Sequence, residues 1–207
     1  IFLVESLRKI IEKYKEIHNI TKTDTDDFRK ALSTIAKENI FGIDKDKSAI
    51  QVAIFSIYLT LLNYQEPADI EHFKFPNLIG TNFICSDTFD INNTELKAFE
   101  NKKHQFDYIV GNPPWVKWEH LPAMYANRIK ELCDIKHIFS GAGQFGGTQL
   151  NICALISNVT ATNWLSKNGV LAFLMPDSIM SQNSYEGFRN FWLDFETKER
   201  LYLQHVD

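Results

Sequence analysis

Phe106-Asp107-Tyr108-Ile109-Val110-Gly111-Asn112-Pro113-Pro114-Trp115 is the stretch on which the reading of this chain turns. Phe106 to Val110 is a short, largely apolar run, which predicts a buried strand, and Gly111 ends it. Pro113 and Pro114 have no N–H and a fixed φ, and Asn112 is pushed towards an extended conformation by the proline after it. A stiff turn at the carboxyl end of a strand follows. It offers an amide side chain, main-chain carbonyls with no competing donors and a flat aromatic ring. Such a turn suits a planar substrate that carries an –NH2 group. Asn112 Oδ1 and the Pro113 carbonyl can each accept one amino hydrogen, and Trp115 can stack on the ring.

Working outward, residues 2–19 place Phe2, Leu3, Leu7, Ile10, Ile11, Tyr14 and Ile17 at helical spacing, with charged residues between them. Residues 20–27 read as a loop with a helix N-cap near its end, and Asp27 to Lys37 as a short helix. Asn39 to Ile43 reads as a strand and Ser48 to Leu62 as a helix so apolar that burial is expected on every side. Residues 64–80 form a loop around Pro67 and Pro76. Thr81 to Cys85 is a strand, Leu150 to Leu165 a helix, and Asn168-Gly169 a turn. Val170 to Met175 is a continuous apolar strand, Tyr185 to Phe195 a helix, and Leu201 to Val206 a last strand. Strands alternating with helices predict an α/β fold with a mostly parallel sheet, covered on both faces.

The 207 residues carry 22 Lys and Arg against 26 Asp and Glu, a net charge of −4. That excludes the basic signature of a stand-alone nucleic-acid-binding module. No apolar run reaches the length of a membrane span, and the start at Ile1 lacks a basic leader. Cys85, Cys133 and Cys153 are scattered and odd in number, which favours a reducing, cytoplasmic setting over a disulfide framework or a zinc site. The six histidines show no metal spacing with one another or with cysteine. Neither a Gly-x-Ser-x-Gly elbow nor a phosphate loop is present.

Asp44 closes the strand Ile40-Phe41-Gly42-Ile43. A carboxylate there can accept hydrogen bonds from both hydroxyls of a ribose, as in dinucleotide-binding sheets. Asp46, two residues on, is placed to cap the following helix. Asp87 follows the next strand, in Ile84-Cys85-Ser86-Asp87-Thr88-Phe89, where an Asp also commonly forms a turn.

Asp107 to Trp115 resembles the catalytic motif of S-adenosylmethionine-dependent amino-methyltransferases. The Trp ending looks like the adenine-specific DNA methyltransferases of restriction-modification and phage-defence systems; members that methylate protein glutamine usually end in Tyr. The resemblance runs from Phe2 to about Phe195, but only Asn112-Pro113-Pro114-Trp115 is highly specific. It implies a Rossmann-like methyltransferase sheet, mostly parallel, with helices on both faces. It implies that Asn112, Pro113, Pro114 and Trp115 receive a flipped adenine from DNA. It implies that Asp44 holds the ribose of S-adenosylmethionine and that Asp87 accepts the amino group of the cofactor's adenine. Phe89, and Ile43 or Lys45 beside Asp44, would flank that adenine ring. Asp177 matches a polar strand-end residue that lines the pocket in the family, or else caps a helix.

The family's Gly-rich loop, which follows its first strand and holds the methionine portion of the cofactor, has no counterpart before Phe2. The expectation is therefore one partial catalytic domain over residues 1–207, incomplete at its N-terminus. Alone it is expected to be inactive and to bind the cofactor poorly. The segment 116–147 is expected to be a loop insertion near the target-base pocket, with the Gly-rich tract Gly141 to Gly147 as its mobile part. An additional specificity or nuclease domain or subunit is expected. Two alternatives remain at this point. One is a protein-glutamine or RNA amino-methyltransferase, and the other a non-catalytic methyltransferase-like subunit that binds nucleic acid.

Overall fold

Apolar residues one turn apart set the first two helices. In α1 (Phe2–Ile17) Leu7 and Ile11 are fully buried. In α2 (Asp26–Asn39) the buried residues are Phe28, Leu32, Ile35 and Ala36. The Thr25 hydroxyl accepts the Phe28 N–H at 3.2 Å and starts α2. That is the N-cap anticipated at the end of the polar loop. The computed structural model describes residues 1–90, 94–97, 99–139 and 150–206. The tract Gly141 to Gly147 lies outside the described residues.

The chain divides into two compact units, Ile1–Glu100 and Asn101–Asp207. The first surrounds a short parallel pair, β1 (Gly42–Asp44) with β2 (Phe83–Cys85), registered as Gly42↔Phe83, Ile43↔Ile84 and Asp44↔Cys85. Between them runs α3 (Lys47–Leu62), which packs on α1, on α2 and on both strands. Asn82, 3% exposed, ties the unit together. Its amide donates to the Lys37 and Ile40 carbonyls at 2.7 and 2.8 Å, and its own carbonyl accepts the Gly42 N–H at 2.9 Å. One buried residue, through its side-chain amide and its backbone carbonyl, thus joins the end of α2 to the start of both strands, with its donors satisfied as burial requires. Pro67–His72 forms a short 3-10 helix and Thr94–Lys97 a single helical turn, α4.

The second unit is built on a second parallel pair, β3 (Phe106–Gly111) with β4 (Leu165–Phe173). The register moves from Phe106↔Leu165 to Tyr108↔Val170, so residues 166–169 leave the ladder. This excursion is the expected Asn168-Gly169 turn, with Asn168 at φ 69°. Helix α6 (Ile152–Trp164) runs directly into β4 and is buried on nearly every side. Helix α5 (Ala123–Ile135) lies within 116–147, so the segment read as a loop insertion contains more than three turns of helix. A single turn, α7, spans Ser178–Ser181.

Two expectations fail in the last thirty residues. Tyr185 to Phe195 is not a helix but two 3-10 turns, Asn183–Tyr185 and Phe188–Asn190, followed by a strand. Phe191 at φ 53° breaks any helix there. Gly187 also sits where a Cβ would come within 2.5–2.7 Å of the His137, Ile138 and Phe139 carbonyls, a backbone approach that forbids a regular helix face. Leu201 to Val206 forms no strand. The final pair is instead an antiparallel hairpin, β5 (Trp192–Asp194) with β6 (Glu199–Arg200). A third correction concerns α3, whose apolar sequence predicts burial all round. Ile50, Ile54, Ile57 and Leu61 are buried, but Val52, Phe55 and Leu59 are exposed. The described strands form three two-stranded sheets, two parallel and one antiparallel. The α/β class is therefore as expected.

Two stability measurements check this account. Gly187→Ala should cost about 1–3 kcal/mol, because its neighbours are backbone carbonyls that cannot move aside as a flexible side chain would. Urea denaturation of the chain should show that loss, and an unchanged midpoint would mean the segment 137–139 relaxes freely. Asp46→Ala should cost about 1 kcal/mol by removing the cap of α3. A loss below a few tenths would show that the cap is replaced by water.

Candidate functional site

Two prolines leave the Asn112–Trp115 turn with no backbone donors between Asn112 and Trp115, so it must be held from outside itself. On the upstream side, the Gly111 carbonyl accepts the Leu174 N–H at 3.0 Å, extending the β3–β4 ladder past Phe173. On the downstream side, the Trp118 N–H donates to the Leu150 carbonyl at 2.8 Å and the Ile152 N–H to the Val116 carbonyl at 2.9 Å. These bonds make an antiparallel bridge between Lys117 and Asn151 at the start of α6. Asn151, 6% exposed, accepts the Cys153 N–H at 3.3 Å as the N-cap of α6. Its own N–H donates to the Tyr185 hydroxyl at 3.0 Å. Burial pushes the Tyr185 hydroxyl above its ordinary pKa and keeps it neutral.

Within this clamp Pro113 is buried, while Asn112, Pro114 and Trp115 are exposed. The Asn112 amide makes no hydrogen bond among the described residues and is open to a ligand. Trp115 is 55% exposed, and its indole N–H donates to the Leu174 carbonyl at 3.2 Å. One edge of the ring is therefore fixed and a large part of its surface is free.

Asp44, Ile43, Asp87 and Phe89 belong to the first unit. The pairing Asp44↔Cys85, extended by the Ser86 N–H donating to the Asp44 carbonyl at 2.9 Å, brings Asp44 and Asp87 to the same carboxyl edge of the parallel pair. In open parallel sheets that edge is where ligands bind. Asp44 is exposed, and its Oδ1 accepts the Asp46 N–H at 2.8 Å. Asp46 Oδ1 accepts the Ser48 N–H at 2.7 Å, so Asp46 is the cap of α3. Asp87 Oδ1 accepts the Phe89 N–H at 3.0 Å, the turn role common for this residue, and its Oδ2 lies 3.9 Å from Lys45 Nζ. Ile43 is half-buried. Phe89 is 6% exposed and can present only an edge to a ligand.

Asp177 precedes α7 but makes no side-chain cap bond to it, and it is exposed. Three residues that the sequence reading does not single out hold the site. They are Leu174, which meets Trp115, and Asn151 with Tyr185, which anchor the downstream side. The apolar run Val170 to Met175 contains Leu174, but nothing in it marks the contact with Trp115, 59 positions away. Nothing local marks Tyr185, 34 positions from its partner.

The three cysteines are free. Burial pushes the Cys153 thiol up to about 12 and Cys133 higher still, so neither is a nucleophile at neutral pH. Among the described residues no cluster of His, Cys, Asp and Glu could hold a metal ion, and no helix is long and apolar enough to cross a membrane.

Residues 38–203 match the family described as Eco57I restriction-modification methylase. The type II methyltransferase M.HincII of Haemophilus influenzae is 28% identical over 130 residues, covering 58% of this chain and 22% of that protein. The type II methyltransferase M.HindII of Haemophilus influenzae is also 28% identical over 130 residues, with 58% and 21% covered. The type II restriction enzyme and methyltransferase RM.Eco57I of Escherichia coli is 29% identical over 167 residues, covering 73% of this chain and 15% of that protein. The chain thus spans between 15% and 22% of the length of these relatives. The match covers the strand end that carries Asp44, the Asn112–Trp115 turn and the β4 end that anchors it, and the chain belongs to the Eco57I restriction-modification methylase family.

Proposed function

We propose that this chain is catalytic-domain sequence of a DNA methyltransferase that acts on the exocyclic amino group of adenine. The observation that carries the reading is the Asn112–Trp115 turn: an exposed, unengaged amide and a half-exposed indole, clamped at the carboxyl end of a parallel strand. Relatives that are type II methyltransferases and a type II restriction enzyme support DNA over protein or RNA as the substrate. A Rossmann-like methyltransferase fold is supported by the family match and by the parallel pairing found within each unit.

An adenine inside a duplex is out of reach, so the target nucleotide must leave the stack. Trp115 would stack on the flipped base, with the Leu174 carbonyl fixing the plane of the indole. The adenine amine is a weak nucleophile because its lone pair is delocalised into the ring. Asn112 Oδ1 and the Pro113 carbonyl would accept its two hydrogens and favour a pyramidal nitrogen whose lone pair points away from both acceptors. Orientation and fixed dipoles then do the work, and no strong base is needed. Once methylated, the amine would carry a surplus proton, which would pass from the nitrogen to solvent.

S-adenosylmethionine supplies the methyl group on a positively charged sulfur, which departs neutral. The residues present fit the nucleoside portion of that cofactor. Asp44 offers an exposed carboxylate for the ribose hydroxyls and Asp87 an acceptor for the adenine amino group, on one edge of β1–β2. Ile43 and the edge of Phe89 would flank the adenine ring.

In the full-length protein, Asn112→Ala should lower the rate of methyl transfer by about two to three orders of magnitude while the cofactor still binds, by analogy with the loss of one preorganised donor in an oxyanion hole. Turnover close to wild type in a radiolabelled methyl-transfer assay would sink the assignment. Asp44→Ala should weaken S-adenosylmethionine binding about tenfold, the share of one charge-assisted hydrogen-bond pair. Isothermal titration reads this without turnover, and an unchanged affinity would return Asp44 to the surface.

A further inference from the structure

We infer that Leu174 is the second wall of the target-base pocket and sets how tightly the flipped base is held; this rests on the methyl-transfer reading above. A surface leucine alone needs no explanation. This one carries three independent constraints. The Leu174 N–H donates to the Gly111 carbonyl at 3.0 Å, which makes Leu174 the ladder neighbour of Asn112. Its carbonyl accepts the Trp115 indole N–H at 3.2 Å, so its backbone lies against the edge of the stacking ring. Its side chain is nevertheless 55% exposed at the carboxyl end of β4.

The pleat says where that side chain stands. The ladder pairs Tyr108 with Val170 and Val110 with Ala172. Paired residues of a parallel ladder share a face, and residues two apart share it again. Continuing the alternation puts Asn112 and Leu174 on one face, the face of Tyr108, Val110, Val170 and Ala172. The reacting amide and an uncovered isobutyl group thus stand side by side on neighbouring strand ends, with the Trp115 ring tied to the second. Enzymes that act on extruded bases hold them between aromatic and apolar side chains. Trp115 supplies the aromatic contact and Leu174 the apolar one. A base resting on both is held in the pocket by apolar contact, so Leu174 acts by contact with the base and not on the chemical step.

The test uses the full-length protein and a duplex with 2-aminopurine at the methylated position. Leu174→Asn keeps the branched shape and removes the apolar surface. Because the residue is exposed, its melting temperature should stay near wild type. We expect about a tenfold rise in KM for DNA, the scale of a lost apolar contact in a pocket, with kcat changed less than twofold. The 2-aminopurine signal of the bound duplex should change in the same variant, because the base loses one wall. Leu174→Met should recover most of both losses. Leu174→Ala gives the same reading should the Asn variant fold poorly. Unchanged KM and fluorescence in the Asn and Ala variants, with Asn112→Ala inactive, overturn the inference and leave the methyl-transfer reading intact. An active Asn112→Ala enzyme removes the reading itself, and the inference with it.

Discussion

Two consecutive prolines cannot hydrogen-bond through their nitrogens, and the rest of the site follows from that deficit. A turn that cannot hold itself has to be held by its neighbours. Here the β3–β4 ladder grips it at Gly111, and the Lys117–Asn151 bridge grips it just beyond Trp115. The indole adds a third attachment at the Leu174 carbonyl. The prolines therefore have a double effect. They leave carbonyls uncommitted for a ligand, and they hand the geometry of the turn to β4 and to the cap of α6. Preorganisation of this kind suits a reaction that depends on placement more than on proton transfer.

The same logic recurs in the first unit with different means. Asp44 and Asp87 are brought to one edge by parallel pairing, and each also anchors its own loop through a backbone N–H. Asp46 takes the capping of α3 on itself and leaves the outer oxygen of Asp44 without that duty. In both units the polar groups stand at the carboxyl ends of parallel strands. An open α/β sheet gathers its ligands there, because the loops after those ends are free to diverge while the strands stay paired.

Much of this is legible in the residues. Thr25 and Asp46 announce helix starts because a short oxygen-bearing side chain before an apolar period has few other uses. Pro113-Pro114 announces the end of β3 because proline has no N–H to give to a ladder. The failures have equally local causes. Helix α3 is apolar on all sides, so periodicity cannot say that Val52, Phe55 and Leu59 would stay outside. Tyr185 to Phe195 has helical spacing, but contact between Gly187 and the carbonyls at 137–139 and the left-handed Phe191 are tertiary facts. The share of the site held by Asn151, Tyr185 and Leu174 is invisible for the same reason, since each acts on residues tens of positions away. Phe89 shows the reverse case: its N–H belongs to the Asp87 turn, but its ring is buried and spent mainly on packing.

The central claim is that the Asn112–Trp115 turn presents an adenine amino group for methylation. The measurement closest to it is mass spectrometry of nucleosides from duplex DNA incubated with the full-length protein and isotope-labelled S-adenosylmethionine. The account predicts label in N6-methyl-2'-deoxyadenosine of the DNA digest. Label in a cytosine derivative, or in added RNA or protein with none in DNA, would contradict it.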